Sequence, residues 1–130
     1  MGITITKDEY RPEWLSCVTI DWVSETDGTL SEALTAIQGT IERIVFIPAT
    51  ATGEQPADNY DVTLLDRDGI DVLGGKGANL SNTTLSSVLL TDTTPVLPIA
   101  TNGPLTLTIA NASLTPGVSG QGTIRFYLRR

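Results

Sequence analysis

Between Asp66 and Gly77 the chain concentrates the side chains best suited to chemistry. Asp66-Arg-Asp-Gly-Ile-Asp71 sets three carboxylates around a glycine, and Gly74-Gly75-Lys76-Gly77 sets a lysine among glycines. Ca²⁺ requires several oxygens around a glycine-enabled turn, which makes Asp66, Asp68 and Asp71 candidate cation ligands. The match is partial: the third early acidic ligand and the distal glutamate of an EF-hand are missing, and Asp68-Gly69 serves equally as a hairpin turn. A phosphate loop needs Gly-x-x-x-x-Gly-Lys-Ser/Thr between a strand and a helix. Here Ala78 follows Gly77 with no helical pattern after it, so close strand packing through small residues is the better account. No cofactor is expected.

Catalysis has few other resources. The chain has no histidine, which removes the commonest general base, the Ser-His-Asp and Cys-His arrangements within one chain, and most zinc and copper sites. Paired carboxylates could support glycoside hydrolysis, but that needs a dry cleft with a raised-pKa acid and sugar-stacking aromatics. Two Trp, three Tyr and two Phe are mostly required by a core, and the chain is expected not to be an enzyme. Cys17 stands in an apolar alternating run, as a small buried hydrophobe of a reducing compartment would. The Asn-x-Ser/Thr matches at Asn79, Asn82 and Asn111 act as turn formers where no secretory route is used.

Fifteen acidic against eight basic residues give a net charge of −7, which disfavours nucleic-acid phosphates and anionic lipid as direct partners. The one basic cluster, Arg125, Arg129 and Arg130, fits the outer face of a strand whose inner face is Ile124, Phe126 and Leu128. Neither a secretory leader nor a run of ~20 apolar residues is present, so a product made in the cytoplasm without a membrane anchor is expected.

These residues must be positioned by strands. Turn residues recur roughly every eight to twelve positions with β-branched alternation between them, which predicts an all-β chain, an antiparallel β-sandwich or partly open barrel of about 7–9 strands. Residues 1–13 form an N-terminal arm or edge strand, and 14–130 one sandwich domain. Strands are expected over Leu15–Val23 (covered on both sides), Ile41–Ile47, Leu105–Ile109 and Thr123–Arg129. Thr29–Gln38 has both helical and strand spacing and is assigned as a strand. Asp58–Gly77 predicts a hairpin: alternating Tyr60, Val62 and Leu64, a reversal at Asp68-Gly69, then a short return strand from Ile70 to Leu73. Ala49–Ala57 is a loop, Val88–Leu90 a short strand or edge, and Asn102-Gly103 a turn; two prolines confine Thr91–Pro98 to an edge or connection.

Apolar residues scattered through weakly charged segments suggest burial by a neighbour. The candidates are Ile3, Ile5, Tyr10 and Trp14 in the arm, which could add a strand to a neighbour's sheet edge, and Leu80, Leu85 and Leu89 in the Ser/Thr-rich run. With the arm (Ile3–Trp14), Ala49–Ala57 and Leu80–Pro95 are the candidate contact segments. Core duty for the Leu80–Leu90 residues fits equally well.

The order Gly-x-Ile-x-Arg-Ile-Val-x-Ile-Pro (Gly39 to Pro48), Asp58-Asn-Tyr-Asp-Val-Thr-Leu-Leu-Asp66, Asp68-Gly-Ile-Asp-Val-Leu73, Gly77-Ala-Asn79 and Leu105-Thr-Leu-Thr-Ile109 resembles short β-rich virion structural proteins of tailed bacteriophages. The likeness spans Gly39 to Leu128 and is most specific at Asp58–Gly77. It implies a capsid decoration or cement protein on the outer capsid surface of the virion, made in the host bacterial cytoplasm. Its partners would be major capsid protein subunits and copies of itself, as a homotrimer. A head-tail connector, neck, head-fibre or tail protein is the nearest alternative, and a carbohydrate- or calcium-binding adhesion module the next. No catalytic or ligand residues transfer from the resemblance.

Overall fold

A computed structural model describes residues 1–9, 15–35, 37, 39–89, 99–101 and 104–129, without the side chains of 7–9, 15, 88, 89 and 99–101. These residues form nine strands and no helix: β1 (Gly2–Glu9), β2 (Leu15–Val23), β3 (Leu30–Leu34), β4 (Gly39–Pro48), β5 (Asp61–Leu65), β6 (Ser86–Leu89), β7 (Ile99–Thr101), β8 (Leu105–Ala110) and β9 (Gln121–Arg129).

Alternation decides which face each strand buries. Leu105, Leu107 and Ile109 point inward from β8, and Ile124, Phe126 and Leu128 from β9, with half-buried or exposed residues between them; successive side chains of a strand leave on opposite faces. The larger sheet has the order β1-β2-β9-β4-β6, with β7 also pairing β4, and the smaller is β3-β8-β5. Pairing between strands is antiparallel throughout both sheets. Both sheets are open, so the architecture is a sandwich and not a closed barrel.

Val18, Ile20, Trp22, Ile44, Phe46 and Phe126 of the larger sheet share one buried cluster with Leu30, Leu34, Val62, Leu64, Leu107 and Ile109 of the smaller. Trp22 and Tyr60 meet with centroids 5.6 Å apart at 45°, a tilted aromatic contact joining β2 to the lead-in of β5. Burial pushes the Tyr60 phenol up to about 12, because a phenolate there would lose its hydration.

The structure resolves some expectations and corrects others. Of the two readings of residues 1–13, arm or edge strand, Gly2–Glu9 takes the second: it pairs with β2 from Gly2 opposite Val23 to Glu9 opposite Ser16. Strand β2 is covered on both faces only near its start, where Ser16, Cys17 and Val18 are all buried, whereas Asp21 is exposed. The return strand of the hairpin shrinks to a single bridge, Leu65 with Asp71, for reasons that lie in the Asp71 side chain. Thr29–Gln38 yields strand β3, with Glu32 on the same parity as buried Leu30 and Leu34. Tyr10, Trp14, Thr91–Pro98 and Asn102-Gly103 lie outside the described residues.

Candidate protein-interaction surface

The three candidate cation ligands do not converge. Asp71 Oδ1 accepts from the amides of Leu64 (3.0 Å) and Leu73 (3.1 Å), and Oδ2 from that of Gly75 (3.0 Å). Asp66 Oδ1 accepts from the amides of Asp68 (2.9 Å) and Ile70 (3.0 Å). Among the described residues no group of three His, Cys, Asp or Glu side chains could hold a metal ion. These aspartates organise turns, as short carboxylates do when they capture nearby backbone donors. Asp71 thereby curls residues 72–77 away from a strand, and Gly77 lets the curl close: a Cβ there would stand 2.2 Å from the Val62 carbonyl. The Val62 amide donates to the Gly77 carbonyl at 2.7 Å.

Asp61 works at longer range, accepting from the Asn79 amide at 2.9 Å and the Asn111 side-chain amide at 2.7 Å. Both asparagines have positive φ (55° and 58°), a conformation asparagine tolerates better than most residues. At Asp27 the Thr29 hydroxyl (2.6 Å) and amide (3.0 Å) donate to Oδ1 and hold the carboxyl below its usual range.

At the end of the sandwich where β2, β4 and β8 finish, the connecting loops are bonded to one another. The Ala49 amide donates to the Gln121 carbonyl (3.2 Å) and the Gln121 amide to the Glu54 carbonyl (2.9 Å); Ala57 donates to Ala112 (3.1 Å), and Ala112 to Gly28 (3.1 Å). Ser24 closes a two-way link, its amide donating to the Gly120 carbonyl and its hydroxyl accepting from the Gly120 amide, both at 2.9 Å. Gly120 is required at this crossing, since a Cβ would stand 2.1 Å from the Ala112 carbonyl oxygen. The 81–84 turn joins through Gln55 Nε2 to the Asn82 carbonyl (3.0 Å) and Asn82 Nδ2 to the Pro56 carbonyl (3.1 Å). This tied surface leaves Leu85 (53 %), Leu114 (53 %) and Val118 (40 %) exposed.

Of the interface candidates, Leu85 is therefore outward, and Ala49–Ala57 lies within the tied loops. Leu80 is not available: its bridge to Tyr60 turns it into the core at 5 % exposure. Ile3 packs on the core and Ile5 is 38 % exposed. Leu89 lies opposite Arg43 in β6, its side chain outside those described. Leu114 and Val118 were missed because Asn111–Gln121 looks like an irregular connection; two apolar residues amid Ser, Thr, Pro and Gly were the available signal. A cleft of about 470 Å³ adjoins this end, lined in part by Asp21, Glu54, Gln121 and Thr123, and the Asp21 carboxylate there accepts the Thr123 hydroxyl at 2.6 Å.

Charge divides unevenly. On the larger sheet Lys7, Arg43, Arg125 and Arg129 offset Asp8, Glu9, Asp21 and Glu42. Glu42 meets Arg129 at 3.1 Å beside the register shift in β4, and Arg43 lies 5.3 Å over the Tyr127 ring. The smaller sheet and the loops carry nine acidic residues against Arg67 and Lys76, while Arg11, Glu13, Asp92 and Arg130 cancel. The strands of the larger sheet are thus neutral, and the net charge resides mainly in the loops, with Glu32 and Asp61 in the smaller sheet. The chain matches no protein-family model and no curated protein.

Proposed function

We propose that this chain is a non-enzymatic structural protein of a tailed-bacteriophage particle, a capsid decoration protein bridging major capsid subunits on the outer surface of the head. The resemblance over Gly39–Leu128 motivates this reading, and the loop surface carries it. Loops from separate parts of the chain are bonded to one another, and Leu85, Leu114 and Val118 are exposed at or beside them. Loops tied in this way lose little conformational entropy on docking, and weak contacts repeated over a shell sum to a strong clamp.

The test mixes purified protein with expanded empty heads of the phage that encodes it. Binding, with raised resistance of the heads to heat, is the expected outcome. Heads that neither bind the protein nor change their heat resistance would overturn the reading. Leu114→Lys combined with Val118→Lys should weaken binding while leaving the protein's melting temperature unchanged. A stoichiometry of a single ring per particle would move the assignment to the neck.

A further inference from the structure

A sheet edge presents unpaired backbone donors and acceptors, and proteins guard such edges with charge, brevity or a cover. Three of the edges here are guarded. Strand β3 is five residues long with Glu32 on its inward parity. Beside β5 runs the 71–80 segment, bonded through Val72 to Leu64 (2.8 Å), Val62 to Gly77 and Leu80 to Tyr60 (2.9 Å). Strands β6 and β7 are four and three residues long.

Strand β1 differs over its first half, since its charges, Lys7, Asp8 and Glu9, are confined to its far end. It is eight residues long, its register against β2 runs without a bulge, and among the described residues its outer edge has no partner. Gly2-Ile-Thr-Ile-Thr6 contains neither charge nor proline. Ile5, on the same parity as Ile3, is 38 % exposed.

We propose that β1 pairs antiparallel with β1 of a second copy of this chain, about a two-fold axis at Thr4. An axis at a residue keeps Ile3 and Ile5 of both copies on one face, because side chains alternate. Ile3 of each copy then faces Ile5 of the other, Gly2 faces Thr6, and Lys7, Asp8 and Glu9 stay beyond the paired segment. β-branched residues directly opposite one another are favourable cross-strand partners. The segment is its own complement, which a foreign strand would have to match by coincidence. Charge permits the approach, since the strands of the larger sheet balance to zero. Each copy carries a net charge of −7, so added salt should tighten the pair. Five residues a side fall short of a standard interface, and the pair should dissociate between about 10 µM and 1 mM.

This inference stands apart from the capsid reading, because its readout is the mass of the free protein. Sedimentation equilibrium of the full chain should show a monomer–dimer equilibrium strengthened by salt. Ile5→Lys should weaken it by about tenfold or more, with unchanged circular dichroism. Thr4→Lys and Thr4→Glu should each weaken self-association, and their equimolar mixture should restore the dimer. A chain that stays monomeric at ~1 mM, a closed trimer, or a mixture no more associated than its components would overturn the proposal.

Discussion

Phe126 in the larger sheet is held by side chains from distant parts of the chain, whereas Asp71 beside the smaller sheet holds amides no more than seven residues away. The first kind of support is apolar, long-range and charge-neutral. The second is polar, local and set among the acidic turns beside the smaller sheet. The larger sheet should therefore fail cooperatively when a ring is removed, and the acidic turns should fail one carboxylate at a time.

The largest effect is expected from Phe126→Ala, about 3–5 kcal/mol of lost stability by denaturant unfolding. A loss under ~1 kcal/mol would show that the layers are not one cooperative unit. High pH should act through Tyr60, where the two layers meet. Its folded pKa of about 12 lies above the unfolded value near 10, so its contribution is complete below pH 10 and is lost as pH rises through 12. Roughly 2–3 kcal/mol is at stake, and Tyr60→Phe should flatten that part of the pH profile.

The aspartates sharpen the contrast further. Asp71→Ala strands three amides and should cost about 2–3 kcal/mol, Asp66→Ala strands two and should cost about 1–2, and Asp68→Ala should fall within ~0.5 because only its own amide is engaged. Thermal melting of the three variants gives the ranking, and melting of the parent with excess Ca²⁺ or EDTA should show no shift. Equal losses at all three positions, with a Ca²⁺-dependent melt, would restore the cation-site reading.

Strands β4, β8 and β9 were legible because alternation of apolar residues reports a face directly. The inward turn of Leu80 was not, since an isolated bridge to Tyr60 imposes no period. Asp68 and Asp71 are the same residue type in the same acidic run, and only the direction of nearby amides separates a solvated carboxylate from a turn anchor. The loop surface was hidden for a related reason: Gln121 with Glu54 and Ala57 with Ala112 are backbone pairings that no side chain announces. Gly120 was the available clue, a glycine demanded by a carbonyl that comes from elsewhere in the chain.

The position of β9 between β2 and β4 has a consequence for synthesis. The strand that joins the two halves of the larger sheet is the last of the nine to leave the ribosome. Until it emerges, the β1-β2 hairpin and β4 with its short neighbours hold unsatisfied inner edges and uncovered apolar faces. The sandwich can therefore close only after translation has passed Arg129, and nascent chains stalled upstream should be the species that chaperones engage.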